Sequence, residues 1–209
     1  MKKVIAWIVA LLLVVAAGAS YFYVKQAEQQ RSIELKQDAK KAKQFHSNHL
    51  RYPVDWHKSS QTIKYPEIKN SRVDKLKVKI NLVKQKLYLY SKNKKIYTMY
   101  ISASWQKVKQ TNRVLPGKYQ LRDNRGRFYY DPATNQGGKY WIAWKQSGQN
   151  LIQSVPTDVN RNFISTQAAS LGDQKDVPNT HGNIWLSVRD AKWFYQNIPT
   201  GTTILIERN

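Results

Sequence analysis

The side chains best suited to chemistry lie near the C-terminus, around Thr180-His181-Gly182-Asn183. His181 is the last of four histidines, and the chain contains no cysteine. A histidine can act as the general base for a serine nucleophile, and Ser154, Ser165 and Ser187 are among the candidates. Ser187 follows His181 by six positions. Nothing in the sequence orients it toward the imidazole, however, and a serine hydroxyl is a weak nucleophile without such help.

The sequence around this tetrapeptide resembles that of a known family. Residues 180–186 read Thr-His-Gly-Asn-Ile-Trp-Leu, and a stretch with helical spacing (residues 190–195) and a Gly turn before a strand (residues 198–206) follow. Their order and spacing resemble the active-site signature of the L,D-transpeptidase (YkuD-type) family, Ser/Thr-His-Gly-Cys-apolar-Arg-Leu. That family cross-links peptidoglycan, and its cysteine thiolate attacks a peptide carbonyl to form an acyl-enzyme.

Three positions depart from the family signature. Asn183 stands at the position of the nucleophilic cysteine, and an amide cannot replace a thiolate. Gln153, in Leu-Ile-Gln-Ser-Val-Pro, matches the position of the family's upstream histidine but has no useful pKa for a general base. Trp185 replaces an arginine and cannot supply its planar fork of donors. The resemblance therefore implies a degenerate member in which no catalytic residue is expected to function.

Two residues of the signature are retained, His181 and Gly182. In the family this histidine lies beside the nucleophile, and the glycine lets the backbone approach the substrate carbonyl. Because their partners are replaced, we interpret His181 as a hydrogen-bonded residue that holds a tight loop.

The residues from 73 onward predict a mostly β domain. Apolar and polar residues alternate over 76–82, which is typical of a strand with one buried face, and further strands are predicted at 87–90, 96–103, 117–121 and 140–144. Turn residues occur at 91–94, 116–117, 123–126 and 137–138. Together with one short helix near the C-terminus, this pattern agrees with the L,D-transpeptidase-like β-sandwich that the resemblance implies.

The N-terminus predicts export of this domain. Residues 1–24 contain two lysines followed by an apolar run of bilayer-spanning length, so we expect a membrane anchor with its N-terminus in the cytoplasm. A cleaved secretory signal is the alternative, because Ala17-Gly18-Ala19 resembles a cleavage site. Residues 25–72 are rich in polar residues and are expected to form an exposed stalk, and residues 73–209 form the domain.

Histidines in the stalk invite a metal-site hypothesis that the sequence does not favour. His46, His49 and His57 lie in this stretch with only Asp55 as a nearby carboxylate, and solvated histidines are the simpler interpretation. No metal and no cofactor are expected.

The charge of the chain indicates which partners are plausible. The whole chain has a net charge of +22, and residues 73–209 hold 22 basic against 8 acidic side chains, a net charge of +14. Such a surface attracts polyanions. Outside a membrane these would be lipid headgroups, anionic wall polymers or the carboxylates of peptidoglycan stem peptides. Nucleic acid is not expected there.

Three functions therefore remain open at the level of sequence. The first is a non-catalytic, membrane-anchored relative of the L,D-transpeptidases that binds peptidoglycan or a wall partner. The second is an active acyltransferase with an unorthodox nucleophile, and the third is a basic tethered module that binds anionic wall polymers.

Overall fold

The computed structural model describes residues 18–34, 36–37, 49–68, 76–106, 113–145 and 150–209. The chain divides into two compact units, Met1–Asn48 and His49–Asn209. In the first unit the described residues are helical and exposed. Within the described ranges, no helix combines the length and the apolar character needed to cross a membrane. Of the anchor predicted at residues 1–24, residues 1–17 lie outside the described residues.

The second unit is mostly β, as the sequence predicts. Its described residues contain nine strands in one sheet, in the order β4-β9-β1-β2-β3-β8-β7-β6-β5. The strands are β1 (Leu76–Asn81), β2 (Lys86–Ser91), β3 (Lys94–Ser102), β4 (Gly117–Gln120), β5 (Arg125–Asp131), β6 (Gln136–Ala143), β7 (Leu151–Ser154), β8 (Ile184–Leu186) and β9 (Thr203–Glu207). A helical turn (Ser165–Ala168) precedes β8, and the C-terminal helix (Val188–Asn197) follows it.

The alternation of buried and exposed residues in β1 shows which face of the strand forms part of the core. Leu76, Val78 and Ile80 are fully buried, whereas Lys77 is exposed and Lys79 is partly exposed. Burial of the apolar face is the main favourable contribution to folding. Strand β1 pairs antiparallel with β2 and parallel with β9, so the buried residues of the three strands form one layer of the core.

The strands form a single sheet rather than the two separate sheets of the expected sandwich. The reason is the length of β3, which pairs with β2 along most of its course. Its last two residues, Ile101 and Ser102, pair with Leu186 and Trp185 of β8. Strand β3 therefore joins the half of the sheet that holds β1 to the half that holds β7.

The predicted helix near the C-terminus is confirmed. It begins after Ser187, whose hydroxyl oxygen accepts a hydrogen bond from the Asp190 N–H, the usual arrangement of an N-cap. The helix buries Ala191 and Phe194 and contacts β6, β7 and β8.

The compact unit extends further toward the N-terminus than the predicted domain boundary at residue 73. Residues 49–68, assigned to a stalk from their polar composition, lie against the domain. The Ser60 hydroxyl and the side-chain oxygen of Gln61 accept hydrogen bonds from the N–H groups of Tyr100 and Thr98 in β3. The Ser60 hydroxyl also donates to the buried Asp190 carboxylate at 2.5 Å. Polar side chains therefore hold this segment in place.

Two expectations about turns are wrong. Residues 125 and 126, predicted to be part of a turn, begin β5, and the predicted turn at Gly137-Gly138 lies inside β6. Gly137 and Gly138 are both needed because neighbouring atoms pack closely against them. A Cβ at Gly137 would lie 2.5 Å from the Tyr129 carbonyl oxygen, and a Cβ at Gly138 would lie 2.5 Å from the Gln153 amide carbon.

Candidate functional site

The loop of residues 180–183, called the 180–183 loop below, leads directly into β8. The Thr180 hydroxyl donates to the Asn183 carbonyl at 2.6 Å, and the Asn183 N–H donates to the Thr180 carbonyl at 2.9 Å. Ser104, just after β3, fixes the loop from outside. Its N–H donates to the Thr180 hydroxyl at 3.1 Å, and its hydroxyl accepts from the Thr180 N–H at 3.2 Å. The loop is thus held in one conformation.

The middle of this loop has a left-handed backbone. His181 has a φ of 51° and Gly182 a φ of 79°. Gly182 is buried, and an added Cβ would collide with the Asn150 amide, which donates to the Gly182 carbonyl at 3.0 Å. Only glycine fits this position, because it combines a positive φ with a close neighbour.

Asn183, at the expected nucleophile position, is committed to structural hydrogen bonds. Its side-chain oxygen accepts from the Leu151 N–H at 2.9 Å, and its side-chain nitrogen donates to the Tyr129 hydroxyl at 3.2 Å. The residue is 8% exposed. The amide therefore bridges the start of β7 to β5, and it offers no activated nucleophile.

Gln153 lies beside this bridge, on β7. It is fully buried, packs against Gly138, and stands in register with Trp185 of the neighbouring β8. Neither amide atom makes a hydrogen bond of good geometry with the described residues. The amide is still near enough to Tyr129 for hydrogen bonding to affect that phenol. The structure thus brings Gln153, Asn183 and Tyr129 together.

Tyr129 is the titratable group of this cluster. Burial raises the pKa of Tyr129 to about 12, with a further increase from Asp131, while hydrogen bonding to Gln153 and Asn183 opposes the rise. The phenol is therefore neutral at physiological pH and does not supply a base. Sequence inspection missed both Tyr129 and Asn150, because no strand was predicted over residues 127–131 and nothing in the local pattern marks Asn150 as a loop anchor.

The Trp185 side chain is buried within the sheet and does not line an open cleft. It is fully buried in β8, between Gln153 of β7 and Ser102 of β3. Its indole N–H has no acceptor among the described residues. An arginine at this position would bury a charge, so the surroundings suit the indole better than the family's guanidinium.

No serine is activated by His181 among the described residues. Ser187 is the N-cap of the C-terminal helix, and Ser154 donates to the Val155 carbonyl at 2.8 Å. Ser165 is exposed at the start of its helical turn. The His181 N–H donates to the Asn179 side chain at 3.1 Å. The His181 ring itself has no hydrogen-bond partner in the described part of the chain, so the expected hydrogen-bonded ring is not seen there.

The stalk histidines form no metal cluster where the structure describes them. His57 lies 3.3 Å from Asp55 and its ring stacks on Trp56. His49 lies in the described segment as well, and His46 lies outside the described residues. The described residues contain no group of three or more His, Cys, Asp or Glu that could hold a metal ion.

Fold and loop together define the class of the protein: a mostly β domain with a rigid Thr-His-Gly loop at the start of a central strand. The sequence model of the YkuD family, the L,D-transpeptidase catalytic domain, matches residues 75–206. A Bacillus subtilis (strain 168) protein named "Putative L,D-transpeptidase YciB" is 34% identical over 153 residues, which cover 73% of this chain and 74% of that protein. The chain therefore belongs to the YkuD family of L,D-transpeptidase catalytic domains.

Solved structures with more distant sequences were also found. The L,D-transpeptidase of Stackebrandtia nassauensis is 17% identical with a TM-score of 0.47, over 68% of this chain and 63% of that one. An L,D-transpeptidase of Mycobacterium tuberculosis H37Rv is 14% identical with a TM-score of 0.49, over 64% of this chain and 58% of that one. This chain thus spans less than two thirds of each of these proteins.

Proposed function

We propose that this protein is an exported, membrane-anchored member of the L,D-transpeptidase family that binds peptidoglycan stem peptides without turning them over. Membership of the family implies a role in peptidoglycan metabolism. Absence of turnover, binding of stem peptides and anchoring at the membrane are the parts that we add.

The observation that carries the proposal is the role of the Asn183 side chain. Both of its polar atoms hold neighbouring groups, the Leu151 N–H and the Tyr129 hydroxyl. Acyl transfer by this family needs a nucleophile at that position that a base can activate. An amide that is used as a structural bridge meets neither requirement.

The surroundings of Asn183 support the same conclusion. The base position holds Gln153, which cannot accept a proton at useful pH. The titratable group that Asn183 contacts, the Tyr129 phenol, has a pKa of about 12 because it is buried. Trp185 fills the arginine position with a fully buried ring. The cluster therefore lacks a nucleophile, a base and a substrate-facing cation at the three matched positions.

Binding is supported by what the loop retains. His181 and Gly182 match the family signature, and hydrogen bonds from Ser104 and Asn150 keep the 180–183 loop rigid. A preorganised loop loses little conformational entropy when it meets a ligand. The His181 ring is partly exposed and can donate a hydrogen bond to a peptide carboxylate or carbonyl.

Export is supported only by the sequence of residues 1–24. An anchor and a cleaved signal both place the domain outside the cytoplasm. Separating them requires the mass of the mature protein from its own cells, since cleavage after Ala19 would remove the apolar run.

Turnover is tested with the full-length protein in a nonionic detergent and a peptidoglycan fragment that carries a tetrapeptide stem. We expect mass spectrometry to show unchanged fragment, while an active L,D-transpeptidase in the same buffer converts it. Release of the terminal D-alanine, or a cross-linked dimer, would show that the protein is an acyltransferase after all. In that case loss of product in Ser187→Ala or His181→Ala would identify the groups involved.

Binding is tested by calorimetric titration of the same fragment into the same protein. We expect saturable binding that His181→Ala weakens and that the matched surface variant Lys192→Ala leaves unchanged. His181→Ala should fold normally, since the ring has no hydrogen-bond partner among the described residues. A fragment that shows no binding at millimolar concentration would remove this half of the proposal.

A further inference from the structure

Four strands at one end of the sheet present a regular outward face. Register places Gln120, Thr203, Lys77 and Tyr90 side by side across β4, β9, β1 and β2. The next row, two residues further along each strand, consists of Lys118, Leu205, Lys79 and Tyr88. None of these eight side chains is buried, because the alternate residues of the same strands form the core.

The lysines of this face are incompletely neutralised. Lys79 pairs with Glu207 at 2.7 Å, and that hydrogen bond raises the pKa of Lys79. Lys77 is hydrogen bonded to the neutral amide of Asn93 at 3.3 Å. Lys118 has no hydrogen bond or ion pair within the described residues. The face therefore keeps a net positive charge even after its one carboxylate is counted.

Two grooves, one on this face and one at its β4 edge, share Lys118. A groove of about 430 Å³ is lined by Lys77, Lys79 and Lys118, among others. A second groove, of about 490 Å³, shares Lys118 and continues past Arg122, Lys145 and Trp144. Residues two apart in a strand lie about 7 Å apart, and strands about 4.8 Å apart. The cations are thus distributed over a surface long enough for several units of a linear ligand.

We propose that this surface, called the lysine face and defined by Lys77, Lys79, Lys118, Arg122 and Lys145, binds a linear phosphodiester polymer of polyols or sugars. Lysine ammonium groups pair with single phosphates as point charges. The Thr203 hydroxyl and the Gln120 amide lie between the cations and match the hydroxyl groups of a polyol. Binding of such a polymer releases its counterions, which favours association at low salt.

Nucleic acid fits the lysine face less well. Strong binding of single strands uses aromatic rings on which bases stack. Tyr88, one of the two tyrosines of the face, already has the Lys95 ammonium 5.6 Å from the centre of its ring. The choice of a polymer found outside the cytoplasm rests on the proposed export of the domain.

The lysines that the experiment changes lie on strands apart from the 180–183 loop. The loop leads into β8, and β3 stands between β8 and the strands that carry Lys77, Lys79 and Lys118. Occupation of one site is therefore compatible with occupation of the other, and the two can be tested independently.

The experiment measures binding of fluorescent poly(glycerol phosphate) to the full-length protein over a range of salt. We expect the double variant Lys77→Gln/Lys118→Gln to bind roughly tenfold or more weakly at 100 mM salt, with a salt dependence shallower by about 1.5 in the log–log slope. The charge-matched control is Lys175→Gln/Lys192→Gln. These exposed lysines lie on a loop and on the C-terminal helix, which contacts β6, β7 and β8 instead.

The outcomes separate the explanations. Loss of affinity in the first pair alone, with both pairs unfolding at the wild-type temperature, supports the lysine face. Equal loss in both pairs shows attraction to net charge only and overturns it, as does the absence of binding. Tighter binding of an oligothymidylate that also depends on Lys77 and Lys118 assigns the face to nucleic acid. The tetrapeptide fragment is also titrated into the same variants, and its binding should be unchanged. This measurement distinguishes a loss of polymer binding at the lysine face from a loss of stem-peptide binding.

Discussion

The two halves of the sheet bury different kinds of side chain. In the β1 half (β4, β9, β1 and β2), strands β9, β1 and β2 alternate between buried aliphatic residues and outward-facing residues, among them Lys77 and Lys79. In the β7 half (β8, β7, β6 and β5), strands β7 and β8 are buried on both faces and include Gln153 and Ser154. A strand that is buried on both faces must satisfy every polar side chain internally. The polar cluster around Asn183 is therefore costly unless it is hydrogen bonded.

Each half contains one fully buried glutamine, and the pair shows the contrast directly. Gln85, in the turn between β1 and β2, donates to the Leu82 and Ala103 carbonyls and accepts from the Ala103 N–H. Gln153, in β7, has both amide atoms buried without a hydrogen bond of good geometry among the described residues. The first glutamine is part of the structure of its half, whereas the second stands at the position that the sequence resemblance matches to the family's upstream histidine.

The largest expected effect lies in the core of the β1 half. Ile80 is fully buried and pairs with Leu87 of β2 and Ile206 of β9. Ile80→Ala removes buried methyl groups and leaves a cavity, so we expect a loss of about 2–5 kcal/mol in the free energy of unfolding. Urea denaturation of the full chain measures it. Lys77→Ala, on the other face of the same strand, should change stability by less than about 0.5 kcal/mol. A small loss for Ile80→Ala would show that aliphatic packing does not dominate this half.

Ile80 also shows why this half could be predicted from the sequence. Its strand alternates strictly, so hydrophobicity alone fixes which face is buried. Less of the β7 half could be predicted from the sequence, because most residues of β5 are half-buried and do not alternate between buried and exposed. Gly137 and Gly138 look like turn residues, yet they serve close contacts that only the folded structure shows. Residues 49–68 were assigned to a stalk from their polar composition, because local sequence does not show that Ser60 meets Asp190, 130 positions further along the chain.

The next effect is a pH dependence at the attachment of residues 49–68. Burial raises the pKa of Asp190 from 3.8 to about 6, although hydrogen bonds from Ser60, Tyr65 and Ser187 oppose the rise. The folded state therefore binds the proton more tightly than the unfolded state does. The resulting stability is fully present below pH 4 and is lost as the pH rises through about 6, a decrease of about 2–3 kcal/mol.

Denaturation of the wild-type protein and of Asp190→Asn at pH 4.5 and pH 7.5 measures this contribution. Asp190→Asn should show a smaller difference between the two pH values, whatever its absolute stability. Asp123→Asn, an exposed carboxylate in the loop between β4 and β5, should keep the wild-type difference. Equal pH dependence in all three proteins would mean that Asp190 is not the group responsible.

The smallest effect compares the two buried glutamines. Gln153→Met replaces an amide that makes no hydrogen bond of good geometry with the described residues by an apolar chain of similar size, so we expect a gain of about 1 kcal/mol. For a chain of this length that corresponds to a rise of about 2–4 °C in the melting temperature. Gln85→Met should instead destabilise by about 1–3 kcal/mol, because the Ala103 N–H loses its acceptor. Thermal unfolding followed by circular dichroism measures both. If Gln153→Met is destabilising, the Gln153 amide has a hydrogen-bond partner in the folded protein, and the contrast between the two glutamines does not hold.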